Sequence, residues 1–237
     1  MAPQRSTPSR FLTIDIGGSG LKAAVVDRAG TMLTERVRVR TPSDLTPDEL
    51  VGQLDALVTP LRPFDRVSVG FPGVVKDGIV VTAPNLGTDR LAGLELQSVL
   101  AARLDCPTRV ANDAEVQGYA VVERKGVELV LTLGTGLGAV VFNGGTPLPV
   151  FELAHHPFRK GKTYDEVLGN RALERRGRRR WNKRLQQALE ELYALFRYDR
   201  VFLGGGNATQ VRFALNRRTT IVSNQMGVRG GAALWEA

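Results

Sequence analysis

Apolar residues fall along this chain in short runs cut by glycine, and these runs alternate with stretches of helical spacing. Residues 11–16, 21–27 and 31–39 predict three strands, and Pro47 opens a helix over about 47–59 with Thr46 or Asp44 as its cap. The strand Arg66 to Phe71 runs into Pro72-Gly73, a hairpin around Asp77-Gly78, and the loop Ala83-Pro84-Asn85-Leu86-Gly87. A helix near 95–104 and a strand at 107–111 deliver Asn112-Asp113, and Ala114 to Arg124 reads as helix. Further on, a loop carries Glu152, His155 and His156. Helices near 164–176 and 181–196 precede the strand Arg200 to Leu203, which ends in Gly204-Gly205-Gly206. The last segment, with Gly227 and Gly230-Gly231-Ala232-Ala233, has the small residues of a helix start that packs closely.

Two glycine-rich hairpins stand out of this pattern. One is Leu12 to Val26, turning at Gly17-Gly18-Ser19-Gly20, and the other is Val130 to Phe142, turning at Gly134-Thr135-Gly136. Such a turn presents consecutive backbone N–H groups with no side chain in the way, which suits an anionic oxygen such as that of phosphate. Gly17 can be set on Gly134 and, with one residue removed from the second turn, Gly20 on Gly136. Leu21-Lys22-Ala23-Ala24-Val25 then meets Leu137-Gly138-Ala139-Val140-Val141. This duplication predicts an α/β fold of two lobes, 11–111 and 112–237, behind a loose tail at 1–10, with a ligand held by both lobes in a central cleft.

Composition narrows the class. The chain has 237 residues, of which 43% are hydrophobic and 24% charged, the balance of an ordinary globular protein. Cys106 is the single cysteine, which excludes an intrachain disulfide and a cysteine-built zinc site and fits a reducing cytoplasm. Residues 1–10 lack the apolar stretch of a signal peptide. The longest uncharged run, Leu129 to Phe151, is broken by five glycines and by Pro147 and Pro149, so no membrane helix is expected.

The net charge of +8 sits in one place. Residues 159–184 hold eleven Lys/Arg against Asp165, Glu166 and Glu174, while the remaining 21 basic and 21 acidic residues cancel. A basic segment of this kind is either a solvated helix face or the footprint of a polyanion. It lacks interleaved aromatics beyond Trp181, which argues against nucleic acid.

Six motifs in order carry a resemblance that covers nearly the whole chain from Phe11 to Trp235. They are Asp15-Ile-Gly-Gly-Ser-Gly-Leu-Lys22, Gly70-Phe-Pro-Gly-Val-Val75, Asn112-Asp113-Ala114, Leu131-Thr-Leu-Gly-Thr-Gly-Leu-Gly138, Glu152-Leu-Ala-His155 and Leu203-Gly-Gly-Gly206. By them the chain resembles the ROK family of sugar kinases, on the duplicated actin-like (ribonuclease H-like) sugar kinase fold, and within it the polyphosphate glucokinases. The resemblance implies Asp113 as catalytic base, and Asn112, Glu152, His155 and Glu166, with Asn85 of the preceding loop, as holders of sugar hydroxyls. It implies phosphate contacts at Gly17, Gly18, Ser19, Gly20, Lys22, Thr135, Gly136, Gly204 and Gly205, and it implies a homodimer.

Residue chemistry agrees with these roles. Phosphoryl transfer needs an aligned nucleophile, neutralised charge and an acceptor for the hydroxyl proton, and Asp113 suits the last task. A helix N-cap is its alternative reading. Asp15 would hold Mg²⁺ directly or through water, or else brace its turn. Arg176, Arg178, Arg179 and Arg180 are the candidate grip on a long phosphate chain.

Departures from the family pattern shape the expectation. The histidine and three clustered cysteines of zinc-holding members are missing, so no zinc is expected, and Ala154 stands where the family carries glycine. After Gly206, Asn207-Ala208-Thr209-Gln210 lacks the usual serine and the stretch to Thr220 is short, which is a weak adenine pocket beside a full phosphate grip. The expected protein is a cytoplasmic kinase moving a phosphoryl group from polyphosphate, with ATP as a second donor, to the 6-hydroxyl of glucose. An ATP-dependent hexose or amino-sugar kinase is the alternative. A sugar-responsive regulator is a third reading; such regulators carry an N-terminal helix-turn-helix, and only about ten residues precede the first strand here.

Overall fold

A computed structural model describes residues 9–148, 152–223 and 226–236. The chain divides into two compact units, 1–116 with 227–236, and 117–226. In the first unit the hairpin of β1 (Phe11–Gly17) and β2 (Gly20–Val26) is extended by β3 (Val37–Val39), β4 (Arg66–Phe71) and, after the two-residue strands β5 (Val75–Lys76) and β6 (Ile79–Val80), by β7 (Thr108–Asn112). The sheet order is β3-β2-β1-β4-β7, with β1, β4 and β7 parallel. Helices α1 (Pro47–Val58), α2 (Thr88–Leu91) and α3 (Leu96–Leu104) belong to the same unit, and α4 (Asp113–Tyr119) follows β7 across the boundary after Val116. Leu50, Leu54, Leu96, Leu100 and Leu104 of α1 and α3 share one buried cluster with Ile14, Ile16, Val67 and Val69 of the sheet.

Strands β8 (Val127–Leu133), β9 (Leu137–Asn143), β10 (Thr146–Pro147), β11 (Pro157–Arg159) and β12 (Lys162–Thr163) open the second unit. Helices α5 (Tyr164–Leu168), α6 (Asn170–Arg176) and α7 (Arg178–Phe196) follow, then β13 (Arg200–Gly204) and β14 (Thr219–Ile221). Its sheet order is β10-β9-β8-β13-β14. Each unit thus begins with an antiparallel hairpin whose first strand pairs in parallel with the next long strand, and this is the duplication read from the two turns. Trp181 of α7 is fully buried, and its indole N–H donates to Leu168 O at 2.8 Å.

Helix α8 (Met226–Ala233) departs from the expected 112–237 lobe, because Gly227–Glu236 belong to the first unit. Polar contacts explain the return. Ser68 on β4 donates to Gly231 O at 2.6 Å and accepts from the Trp235 indole at 2.8 Å, while Arg109 on β7 donates to Leu234 O at 2.5 Å. The guanidinium carbons of Arg66 and Arg109 lie 4.9 and 4.7 Å from the Trp235 ring centre.

Other elements have different bounds from those the apolar pattern suggests. The stretch 31–39 is not one strand: Thr34 Oγ1 takes the Val25 N–H at 3.0 Å, Met32 makes only an isolated bridge to Val26, and pairing resumes at Val37. Helix α4 starts at Asp113 and stops at Tyr119, short of Arg124. The buried Glu128 carboxylate beyond it accepts the Glu123 and Lys125 N–H groups at 2.6 and 3.2 Å. The helix expected over 164–176 breaks at Gly169, and α7 begins at Arg178 rather than 181. At the N-terminus, residues 1–8 lie outside the described residues. Arg10 is no part of a loose tail, since its N–H and Nε donate to Asp65 Oδ2 and Pro63 O at 2.6 Å each. Thr46 is the cap of α1, in a reciprocal capping box with Glu49.

Candidate active site

Three strands of the first unit carry its chemistry. Cross-strand pairing sets Asp15 opposite Lys22, and Lys22 Nζ donates to Asp15 Oδ2 at 2.7 Å with both side chains partly buried. Between Gly17 and Gly20, which also pair, Gly18 and Ser19 form the exposed tip. Thr41 Oγ1 donates to Gly17 O at 2.5 Å, bracing the turn from outside the hairpin. A Cβ at Gly18 would stand 3.2 Å from Asn85 Cβ, so the Asn85 loop abuts this tip.

Asp113 stands where β7 passes into α4. Its Oδ1 accepts the Ala114 N–H at 2.8 Å, and Asn112 Oδ1 accepts the same N–H at 2.9 Å. Asn112 also donates to Gly73 O at 2.9 Å, so its amide ties the Gly73 loop to the helix start. The Asp113 carboxyl is pushed up to about 7, first by loss of hydration and then by the Asp15 carboxylate; the N–H groups of Ala114 and of Asp113 itself, and Lys22, oppose the shift. A carboxyl with this value can take up a proton near neutral pH, which a capping aspartate with an ordinary value cannot.

The family resemblance implies Mg²⁺. Asp15 offers hard oxygen donors, and the neighbouring Asp113 carboxylate adds a second negative charge, a set that suits a hydrated Mg²⁺. Lys22 competes for one Asp15 oxygen. Among the described residues no group of three or more His, Cys, Asp or Glu side chains could hold a metal ion.

The second turn is held by residues that motif reading passed over. Leu133 pairs with Leu137, which leaves the three-residue turn Gly134–Gly136, closed by Gly134 N to Gly136 O at 3.0 Å. Asp165 Oδ1 accepts the Leu137 N–H at 2.7 Å and crowds the open side of Gly136. The Asn170 N–H reaches Gly134 O and Thr135 O at 2.9 and 3.2 Å, and Asn207 Nδ2 donates to Gly134 O at 3.0 Å. Thr135 itself is exposed. The only advance signal for Asp165 was its place beside Glu166 at the start of a helix. Replacing Asp165 by alanine is expected to cost about 1–3 kcal/mol of stability, since a turn N–H loses a charged acceptor; thermal denaturation measures it.

The sugar-side candidates separate in character. Glu152 precedes a 3-10 turn over Leu153–His155 that brings His155 Nε2 to 3.7 Å from Glu152 Oε2. Glu166 is different. It is exposed and spent on a capping box, accepting the Thr163 N–H at 2.9 Å with Lys162 Nζ at 3.7 Å. The Thr163 N–H, the largest influence, and the Lys162 charge hold its carboxyl below the usual range. His156 Nδ1 lies 2.9 Å from Pro157 O.

Gly205 has φ +82°, and a Cβ there would run into the Leu133 backbone, so it serves the packing of β13 against β8. Gly204 ends β13 in register with Thr132. Arg178, Arg179 and Arg180 are exposed on the first turn of α7, and Arg176 ends α6 half-buried, with its Nε buried and without a hydrogen-bond partner.

The model of the ROK family matches residues 11–149. The chain belongs to this family. It is 28% identical to a polyphosphate glucokinase of Mycobacterium tuberculosis over 97% of this chain and 92% of that protein. Among solved structures, the inorganic polyphosphate/ATP-glucomannokinase of Arthrobacter sp. strain KM superposes with a TM-score of 0.85 at 31% identity, covering 97% of this chain and 100% of that one. A ROK family glucokinase of Streptomyces griseus, in complex with glucose and AMPPNP, superposes with a TM-score of 0.81 at 19% identity over 95% and 99% of the two chains, which shows the shared fold. The two repeated sheets are therefore those of the actin-like sugar kinase fold.

Proposed function

We propose that this ROK protein is a glucokinase that transfers a phosphoryl group from inorganic polyphosphate, and from ATP as a second donor, to the 6-hydroxyl of glucose. The observation that carries the reading is Asp113, a carboxyl with a pKa near neutrality set beside Asp15, Lys22 and a glycine turn. Likeness to the polyphosphate glucokinase and to the polyphosphate/ATP-glucomannokinase over nearly the whole chain supports the donor and the sugar. In this reading Asp113 accepts the hydroxyl proton, and Asn112 fixes the start of α4 so that the carboxylate keeps its place. The N–H groups of the Gly17–Gly20 turn cradle phosphate oxygens, Lys22 neutralises charge beside Asp15, and at the second turn, where the Gly134 and Leu137 N–H groups are already taken, Thr135 and Gly136 are the phosphate contacts. Mg²⁺, when bound at Asp15, supplies charge neutralisation on the transferring group. Glu152 and His155 hold sugar hydroxyls away from the reacting one. Glu166, whose carboxylate also caps α5, and Asn85, whose loop abuts Gly18, complete the proposed sugar contacts.

The test is a donor-by-sugar screen, with polyphosphate and ATP each offered against glucose, mannose and N-acetylmannosamine. Turnover of ATP alone would favour a strictly nucleotide-dependent kinase, and no turnover with any pair would favour a sugar-binding regulator. The proposal extends to a homodimer in the cytoplasm, which sedimentation and fractionation check; among the described residues no helix is long and apolar enough to cross a membrane.

The basic segment enters as part of the donor grip. Replacing Arg176, Arg178, Arg179 and Arg180 together by glutamine is expected to raise KM for long-chain polyphosphate about tenfold and for ATP by less than about threefold. The difference should shrink as salt rises. Equal use of both donors by the variant and the parent at low salt would make this segment a solvated helix face.

A further inference from the structure

The edge strand of the first unit carries a pattern that these roles leave unused. Arg36-Val37-Arg38-Val39-Arg40 alternates arginine with valine, with Val37–Val39 forming β3 and Arg36 and Arg40 flanking it. The register sets Val37 opposite Ala23 and Val39 opposite Leu21, both core residues; Val37 packs on that core, while Val39 stands exposed. Arg38 is set opposite Lys22, which is itself opposite Asp15, so these three share one face of the sheet. The Arg38 guanidinium lies against the first glycine turn: a Cβ at Gly20 would stand 2.8 Å from its Nε and 3.2 Å from its Nη2.

All three arginines are exposed. Among the described residues none of them forms an ion pair, whereas Arg28, Arg90 and Arg103 of the same unit each meet a carboxylate. Fully extended, the row from Arg36 to Arg40 spans at most about 13 Å. Guanidinium groups take anionic oxygens in pairs, and a row of them suits a linear anion better than a compact one.

We infer that Arg36, Arg38 and Arg40 form a track for the extended part of an inorganic polyphosphate donor, leading along β3 from the first glycine turn. The inference rests on the donor reading above and deepens it. Charges on an edge strand also discourage strand-to-strand association. That alternative accounts for charge on β3 but not for an arginine laid on the phosphate turn in line with Lys22 and Asp15.

The experiment compares the parent with R36Q/R40Q and with R36Q/R38Q/R40Q, using glucose with long-chain polyphosphate, tripolyphosphate or ATP at low salt. R36Q/R40Q leaves the group touching Gly20 in place. It is expected to raise KM about tenfold for the long chain and at most about twofold for tripolyphosphate and ATP, with a flatter salt dependence for the long chain. The triple variant should raise all three values, the long chain's most. An unchanged long-chain KM in R36Q/R40Q would overturn the track while leaving the donor reading intact, as would variants that aggregate with KM unmoved. A parent with no turnover of any polyphosphate would overturn both. Loss of single-stranded DNA binding in R36Q/R40Q with polyphosphate KM unmoved would make the row a nucleic-acid surface, and the inference would fall.

Discussion

Asp113→Asn is expected to lower kcat by about 10²-fold or more while leaving glucose affinity within about threefold, because it removes the proton acceptor and keeps the shape and the Ala114 contact. The parent should show kcat/KM climbing with pH up to about 7 and levelling above it, since burial and Asp15 set that value. The variant should lose this limb. Stability moves the other way. A carboxyl raised in the folded state stays protonated there after the unfolded chain has released its proton, so the parent loses stability as pH rises from about 4 to about 7. Asparagine has no proton to lose. At pH 8 the variant should therefore be the more stable by on the order of 1–3 kcal/mol, allowing for the partial exposure of this residue, with the gap closing below about pH 4. Steady-state kinetics and thermal denaturation across this range check both halves. A variant with near-parental kcat would remove Asp113 from its role as base.

Glu152→Gln and His155→Ala are each expected to weaken glucose binding about 5-fold to 150-fold with a smaller effect on kcat, as a sugar hydroxyl left unpaired costs about 1–3 kcal/mol. The 3.7 Å approach of these side chains makes them a pair, so the double variant should lose less than the two single losses combined. Calorimetric titration of glucose measures this. Full affinity in both variants would move the sugar site elsewhere. Glu166→Gln offers the contrast: its carboxylate caps α5, and the expected loss is mainly of stability.

The two hairpins and the strands ending at Phe71 and Asn112 were legible because apolar runs cut by glycine leave few other conformations open. The pairing of Gly17 with Gly20, against a turn one residue shorter at Gly134–Gly136, matches the overlay of the two sequences. The ends of helices were less legible, since each is decided by a distant partner. Glu128 captures the N–H groups of Glu123 and Lys125 and stops α4, while Asn170 turns back to Gly134 and Thr135 and splits α5 from α6. Residues that brace the turns escaped for the same reason. Nothing local distinguishes Thr41, Asp165 or Asn207 from other polar loop residues, and their role exists only once the turn they hold has formed. Motif matching singled out Glu166, and its carboxylate also serves the start of α5.

The homecoming of residues 227–236 gives the chain an order of assembly on the ribosome. Everything needed for the second unit, residues 117–226, is made before the last piece of the first. Until Gly231 and Trp235 emerge, Ser68 and Arg109 lack their partners, on the strands that neighbour and carry Asp113. The second unit can therefore be complete while Ser68 and Arg109 on β4 and β7 are still without these partners. A stop codon at Gly227 would remove these partners from the unit that holds Asp113, although almost all of that unit had been synthesised first.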